Sequence, residues 1–316
     1  MHTYVIRRLL QMIPLLIGIS VLLFALMHYL PGGPMAMYTN DPNITEEQLA
    51  RMRAAYGLDD PVHTRYLSWL GRVMRGDLGN SFADGRPVSF RIRGRLPATF
   101  QLLGAAYVLA IVIAIPLGIT AALRQYSLMD YVTTVLAYLG ISMPTFWFGI
   151  ILIIIFSVNL GWFPSGGRMP PSGANLWDMI QYMVLPTVVL ALYSIAGWSR
   201  FMRSSMLEVI RSDYIVTARS KGLAERTVIY KHALRNAIIP VVTVIALEGR
   251  FLFSGAVVTE AIFAWPGMGR LYWGSVIKRD YPVLMGILVI TALLVIAFNL
   301  LADFLYAVLD PRIRYD

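Results

Sequence analysis

The sequence lacks cysteine altogether and has few charged residues. Without cysteine, the chain can form neither disulfides nor thiolate metal sites. Its four histidines lie far apart in the sequence, which does not favour a histidine metal site. Only 14% of the residues are charged, against about 25% in a typical soluble domain, while 57% are hydrophobic and the mean hydropathy is +0.63. This balance indicates a protein of the lipid bilayer.

Several enzyme motifs are also absent. The chain contains no G-x-x-x-x-G-K-[ST] sequence for nucleotide phosphates, no H-E-x-x-H and no G-x-S-x-G. An intramembrane hydrolase stays open in principle, but no Ser/His/Asp or paired-Asp arrangement supports one. We therefore expect no catalytic site, no metal and no cofactor in this chain. Any work done on a solute would draw on a partner or an ion gradient.

Long apolar runs fill most of the sequence. About 20 predominantly apolar residues suffice to cross the hydrocarbon, and six segments qualify: 9–30, 97–123, 131–158, 182–202, 237–261 and 283–309. The third lies in a stretch without charge from Tyr131 to Phe163, and Pro144 is expected to break or tilt it. The first follows a basic start as a signal peptide would, but no small-residue cleavage site follows it, so we expect a retained helix.

Basic residues predict the orientation of these spans. With a cytoplasmic N-terminus, the inner short segments carry thirteen Lys or Arg and the outer short loops carry four. Eight of the thirteen lie between Arg200 and Arg235. This distribution accounts for the net charge of +9 without nucleic acid, and it predicts a protein of the cytoplasmic (inner) membrane with both termini cytoplasmic.

The spans divide the chain into a first helix at 1–30, an outer segment at 31–96, a helical core at 97–309 and a short inner tail at 310–316. In the outer segment, Thr45 and Gln48 fit a capping box and Gly57 can end the helix, which predicts a small outer subdomain. The second span carries small residues at every fourth position, and these predict close helix packing. They are Ala106, Ala110, Ala114, Gly118 and Ala122.

A basic segment interrupts the apolar runs between Arg211 and Asn236. Apolar residues recur at helical spacing on both sides of Gly222, which predicts a short helix, a turn and a second amphipathic helix. Three interpretations are open from this pattern: a solvated or lipid-facing loop, a DNA-binding helix-turn-helix, and a docking surface for a cytoplasmic partner. Membrane spans at both ends weigh against DNA, and an apolar stripe flanked by positive charge suits a partner's groove.

Two charged residues, Glu248 and Arg250, fall near the middle of the fifth apolar run. A charge at that depth costs roughly 2.5–3.5 kcal/mol on insertion scales. Positions two residues apart on a helix differ by about 200°, so the two side chains are not expected to face each other. They predict either ion pairs with other helices or subunits, or a polar lining for a translocation pathway.

The stretch DYIVTARSKGLAERTVIYKHALRNAIIP, residues 213–240, resembles the EAA loop of ABC importer permeases of the dipeptide/oligopeptide class. Gly222 and Ala218 match hallmark positions of that loop, whereas the hallmark Glu is missing because Val216 stands near its place, and Thr217 replaces the other alanine. Further stretches resemble the same class in order along nearly the whole chain: LPGGP at 30–34, GDLGNSF at 76–82, RLPATFQL at 95–102, SSMLEV at 204–209, TEAIFAWPGMGR at 259–270, KRDYPV at 278–283 and LDPRIRY at 309–315.

The resemblance implies an all-α membrane protein with the six-helix, type-I ABC importer permease fold and a sizeable extracytoplasmic loop after its first helix. Its coupling loop, 203–236, would dock on an ATPase subunit. The contact residues implied are Thr217, Ala218, Arg219, Lys221, Gly222, Leu223, Arg226 and Tyr230. Trp265, Pro266 and Gly267, which resemble an external W-P-G turn, would dock a substrate-delivering protein.

On this resemblance, the partners are a second similar permease, two ATPase subunits that carry ATP and Mg, an extracytoplasmic solute-binding protein and membrane lipid. The substrate would be di- or oligopeptides, with glutathione, nickel chelates or another small solute as alternatives on the same fold. A gradient-driven secondary transporter is the alternative from another class. It predicts inverted repeats, and the sequence contains no obvious second copy of the loop.

Overall fold

The computed structural model describes residues 2–29, 35, 38, 44–55, 57–169, 175–248 and 252–309. Over these ranges the chain forms helices and turns, and its β structure amounts to an isolated bridge between Asn80 and Pro87. The expected all-α architecture is therefore confirmed.

The chain begins with α1 (His2–Tyr29), α2 (Glu46–Ala55) and α3 (Val62–Met74). The predicted capping box precedes α2: the Gln48 amide donates to Thr45 Oγ1 at 3.3 Å, and the Thr45 amide donates to Gln48 Oε1 at 2.9 Å. Gly57 follows the helix with φ +62°, a value that glycine adopts without steric cost. The predicted capped helix is confirmed.

The longer helices follow. They are α4 (Val88–Leu123), α5 (Leu128–Ser142), α6 (Thr145–Leu152, continued as a π-helix over Ile153–Asn159), α7 (Leu176–Ile210) and α8 (Asp213–Ser220). We name α9 the helical stretch formed by Glu225–Thr227, the π-helical Val228–Ala233 and Leu234–Glu248. The chain continues through α10 (Leu252–Ile262), α11 (Met268–Ile277) and α12 (Tyr281–Leu309).

Within the described ranges, four helical segments are long and apolar enough to cross a bilayer: Val88–Leu123, Leu176–Ile210, Glu225–Ala246 and Tyr281–Leu300. The break predicted at Pro144 is confirmed, because α5 and α6 meet there at an angle of 108°. The apolar part of α1 is shorter, Met12–Ala25, and the fifth predicted segment includes residues 249–251, outside the described ranges. The count of six spans stays a prediction.

The helix ends differ from the predicted ones. Helix α4 begins at Val88 rather than at 97, since arginines such as Arg91 and Arg95 end an apolar run but are good helix formers. For the same reason α7 extends to Ile210, beyond the predicted 202. The second amphipathic helix expected after Gly222 is the first part of α9. Hydropathy marks the part of a helix that lies in hydrocarbon, not its ends.

The described chain folds as two compact units. The first comprises residues up to 98 together with 267–297, and the second comprises 99–266 together with 298–309. Each unit has its own buried apolar cluster. The first contains Val88, Ile92, Met268, Val283 and Ile287. The second contains Leu152, Leu185, Val189 and Phe263.

The small residues of α4 are buried, and at Gly118 the helix contacts α7. Ala106, Ala110 and Ala114 are fully buried. A Cβ atom at Gly118 would lie 2.5 Å from Met202 Cβ and 2.6 Å from the Ser199 carbonyl oxygen, so only glycine fits there. The close helix packing expected from this stripe is confirmed.

An ion pair joins α5 to α7 beside this contact. Arg203 Nε lies 2.6 Å from Asp130 Oδ1, and Arg203 Nη2 lies 2.8 Å from Asp130 Oδ2. The Tyr126 amide also donates to Asp130, at 3.0 Å. Sequence patterns do not predict this pair, because 73 residues separate its members.

Candidate functional site

The basic segment forms a tight helix–glycine–helix turn, which we call the Gly222 turn (residues 213–230). Helix α8 ends at Ser220, and the Gly222 amide donates to the Arg219 carbonyl at 2.9 Å. Gly222 has φ +73°, and an added Cβ would meet no atom within 4 Å. Glycine is therefore required by the backbone conformation and not by lack of space.

An ion pair closes the turn from the outside. Arg219 Nη2 and Nε lie 2.6 and 3.1 Å from the two carboxylate oxygens of Glu225. This hydrogen-bonded contact raises the pKa of the Arg219 guanidinium above its ordinary value, with burial acting weakly in the opposite direction. The pair holds the end of α8 against the start of α9.

Of the eight predicted coupling residues, seven are exposed and one is buried. Thr217, Arg219, Lys221, Gly222, Leu223, Arg226 and Tyr230 are all exposed. Ala218 is only 8% exposed and faces inward, whereas Val216 is 53% exposed. Ala218 therefore supports the turn from below, and the exposed apolar positions Val216, Leu223 and Tyr230 belong to the outer surface.

Buried apolar side chains and two hydrogen bonds hold the Gly222 turn to the rest of its unit. Ile215, Val228 and Ala233 are fully buried. Asn236 donates from its amide to the Tyr214 hydroxyl at 2.8 Å, which ties α9 to α8. Ser205 donates to the Ala237 carbonyl at 2.7 Å, which ties α9 to α7. A force on the turn would consequently reach both long helices.

Glu248 lies at the end of α9, held by an aromatic pair. The Trp198 indole Nε1 donates to Glu248 Oε2 at 2.6 Å, and the Trp198 ring packs edge-on against Tyr107 with 5.0 Å between ring centroids. The Tyr107 hydroxyl donates to the Ile245 carbonyl. Arg250 lies outside the described residues. Among the described residues, no cluster of three or more His, Asp or Glu could hold a metal ion.

The W-P-G turn at 265–267 contains a buried tryptophan. The Trp265 side chain is completely buried, and its amide donates to the Glu260 carbonyl at 2.9 Å. Glu260 is buried too, and Thr99 Oγ1 donates to its carboxylate at 2.7 Å. Trp265 therefore shapes the turn, and its ring is not available to a partner's surface.

The first unit contains a basic cavity that the sequence patterns do not predict. It has a volume of about 600 Å³. It lies between the start of α4 and helix α11. Its charged lining consists of Arg86, Arg91, Arg95, Arg270, Lys278, Asp84 and Asp280. The hydrogen bond from Arg91 lowers the pKa of the Asp84 carboxyl. The arginines of 86–95 could have signalled this cavity, but residues 270–280 join them only through folding.

Several apolar helices with close small-residue packing define a polytopic membrane protein, and its basic segment forms an exposed helix–glycine–helix turn. Two family models match this sequence. "Binding-prot-dependent transport system membrane comp, N-term" covers residues 1–103, and "Binding-protein-dependent transport system inner membrane component" covers residues 114–315. The chain belongs to this family of inner membrane components of binding-protein-dependent transport systems.

Individual relatives match over the full length. The oligopeptide transport system permease protein AppB of Bacillus subtilis is 47% identical over all of both chains. The dipeptide transport system permease protein DppB of Escherichia coli K12 is 41% identical over 100% of this chain and 99% of its own.

Solved structures show the same fold at low identity. A chain of the inward-facing MetNI methionine ABC transporter matches with a TM-score of 0.57 and 17% identity, over 70% of this chain and 97% of its own. A chain of an amino acid ABC transporter with histidines matches with a TM-score of 0.51, over 69% of this chain and 94% of its own. The expected ABC importer permease fold is thereby confirmed.

Proposed function

We propose that this chain is the permease subunit of an ATP-driven importer of di- or oligopeptides, and that the Gly222 turn couples it to a separate ATPase subunit. The observation that carries the proposal is the exposed, glycine-centred turn, which hydrogen bonds connect to α7 and α9. The full-length similarity to oligopeptide and dipeptide permeases supports the substrate class. The complete importer would add a second permease, two ATPase subunits and an extracytoplasmic binding protein.

Coupling would work by rigid-body displacement. The exposed residues Val216, Leu223 and Tyr230 would fit an apolar groove of the ATPase, with Lys221 and Arg226 at its rim. Closure of two ATPase subunits would then move the turn. Because Ser205 and Asn236 link the turn to α7 and α9, both helices would move with it. The turn would face the cytoplasm, with both termini on the same side.

Reconstitution tests the energy source. The complex of permeases and ATPases is placed in vesicles with binding protein and a labelled dipeptide. We expect uptake only when ATP is present on the side of the membrane where the ATPase subunits are bound. Uptake driven by an ion gradient without ATP would overturn the proposal and favour a secondary transporter.

Competition tests the substrate class. In the same vesicles, unlabelled dipeptides and oligopeptides should reduce uptake of the labelled dipeptide, whereas glutathione and nickel chelates should not. Stronger competition by glutathione or a nickel chelate would support an importer but contradict peptides as its substrate. Because a binding protein delivers the substrate, the binding protein that belongs to this importer is used in every assay.

Glu248 is proposed to line the translocation pathway, where its carboxylate would attract the amino terminus of a peptide. One of its oxygens accepts a hydrogen bond from the Trp198 indole, which orients the side chain.

Glu248→Gln retains an acceptor but removes the charge, so it should reduce uptake of free peptides more than uptake of N-acetylated ones. Trp198→Phe keeps the ring against Tyr107 and removes the hydrogen bond, which separates orientation from charge. Equal uptake of both peptide types by Glu248→Gln and unmodified protein would contradict the proposal. The companion role of Arg250 is proposed on the sequence alone.

The outer face is proposed to dock the binding protein near Pro266 and Gly267, with Trp265 as the buried support. The basic cavity described above adds positive charge that suits an acidic surface on that partner. Lys278→Gln should lower the association rate of the binding protein and its salt dependence. Arg124→Gln removes the same charge elsewhere on the chain and serves as the control. An unchanged association rate for Lys278→Gln would count against this surface.

A further inference from the structure

A second polar cavity lies between α5 and α7, next to the buried ion pair. Its volume is about 390 Å³. Thr134 and Tyr138 line it from α5, and Gly197, Arg200, Arg203 and Ser204 line it from α7. The sequence patterns do not predict it, and the roles proposed above do not involve it.

The cavity carries one positive charge in excess. Arg203 is neutralised by Asp130 through two hydrogen bonds of 2.6 and 2.8 Å. Arg200 lies over the Tyr138 ring, with Cζ 5.0 Å from the ring centroid. Among the described residues, no carboxylate lies within ion-pair distance of Arg200. The hydroxyl groups of Thr134 and Ser204 add hydrogen-bond donors, so the cavity is built for an anion.

The depth of the cavity matches a membrane surface. Helix α7 has no charged residue between Asp178 and Arg200. At 1.5 Å per residue, the intervening stretch measures about 31 Å, close to the roughly 30 Å of the hydrocarbon core. Helix α5 has its last charge at Asp130 before the long uncharged stretch. Arg200 therefore lies where lipid headgroups begin, on the same side as the Gly222 turn.

The surroundings of the cavity suit acyl chains. Tyr131, Val135, Tyr138 and Leu139 on α5 are all at least half exposed. An anion that has its charge at Arg200 and its apolar part along this face is a phospholipid. Basic cavities between membrane helices are known to hold anionic headgroups.

We propose that Arg200, Tyr138, Thr134 and Ser204 form a binding site for the phosphate headgroup of an anionic phospholipid, in the leaflet next to the Gly222 turn. The lipid would bridge α5 and α7 at the level of the Asp130–Arg203 pair. Since α7 continues directly towards α8, the site would stabilise the base from which the turn projects.

Native mass spectrometry tests the site. The full-length chain, purified in the assembly that it forms in the membrane, is titrated with phosphatidylglycerol and, separately, with phosphatidylcholine. We expect Arg200→Gln to weaken phosphatidylglycerol binding about fivefold, as loss of one basic contact near a membrane surface predicts. Phosphatidylcholine binding should not change. Arg200→Lys, which keeps the charge, should bind more strongly than Arg200→Gln.

The control is Arg124→Gln, which removes an exposed charge outside the cavity. It should bind phosphatidylglycerol like the unmodified protein, and excess inorganic phosphate should not displace the lipid. Equal binding by Arg200→Gln and unmodified protein would overturn the proposal, as would an equal loss in Arg124→Gln. A photo-reactive phenylalanine in place of Thr134 should capture lipid; capture of a protein subunit instead would assign this face to a subunit interface.

Discussion

Two Arg–carboxylate pairs of this chain have similar geometry and different surroundings. Asp130–Arg203 joins α5 to α7, with side chains 5% and 28% exposed. Arg219–Glu225 closes the Gly222 turn, with side chains 40% and 55% exposed. Both pairs have a shortest N–O distance of 2.6 Å. Distance alone therefore does not rank their contributions.

Burial decides what each pair does. Removing one member of a buried pair leaves an uncompensated charge in a medium of low polarity, whereas water screens each member of an exposed pair. The inner pair therefore fixes the packing of two long helices. The exposed Arg219–Glu225 pair orients a surface that a partner is proposed to contact. The helices that would transmit movement are thus held firmly to each other, whereas the proposed contact surface is held weakly.

The largest expected effect comes from Asp130→Asn. It leaves the Arg203 guanidinium without its counter-charge, which costs about 3–5 kcal/mol for a buried pair. We expect a much lower yield of folded protein and an earlier thermal unfolding transition, measured in detergent by intrinsic fluorescence.

The double variant Asp130→Asn with Arg203→Gln is the matched control for that pair. It removes both charges, so it should be more stable than Asp130→Asn alone. If the single and double variants unfold at the same temperature, the ion pair is not the main contact that stabilises the packing of α5 against α7.

Ala218→Leu should have the next largest effect. The buried Ala218 position cannot take a larger side chain without displacing α8, and such overpacking costs about 1–3 kcal/mol. We expect lower affinity for the ATPase subunit, measured by co-purification. Thr217→Leu adds similar bulk at an exposed position and should retain more binding; equal losses would show that Ala218 belongs to the contact surface itself.

Gly222→Val tests the backbone of the turn. A side chain at φ +73° costs about 1–2 kcal/mol, and a β-branched residue is among the least tolerant of this conformation. We expect weaker ATPase docking and reduced uptake. Gly222→Asn is the control, because asparagine tolerates left-handed φ and the added Cβ meets no neighbour. Equal transport by the two variants would remove the proposed role of the conformation.

Arg219→Gln should have the smallest effect on stability. Exposed pairs contribute about 0.2–1 kcal/mol, and salt screens them. The unfolding temperature should change little, and any change should shrink in high salt. A loss as large as that of Asp130→Asn would show that the two pairs are equivalent and that exposure is a poor guide in this protein.

Local patterns predicted much of the fold. Thr45 and Gln48 cap α2, Pro144 separates α5 from α6, and Gly222 forms the turn, because each feature depends on neighbouring residues. Helix ends were predicted less well, since arginines at the start of α4 continue the helix outside the hydrocarbon. The broad surface of the proposed coupling site was also predictable, but the inward direction of Ala218 was not.

The sequence by itself determined the helical membrane character, the position of the basic segment and the need for glycine at 222, because these depend on hydropathy, charge and backbone freedom. Only the tertiary structure decided which charges meet. Asp130 finds Arg203, Glu248 finds the Trp198 indole, and Arg200 is left facing a cavity. Such contacts join helices far apart in the chain, and helical periodicity determines the face of a residue without identifying the neighbour that packs against it.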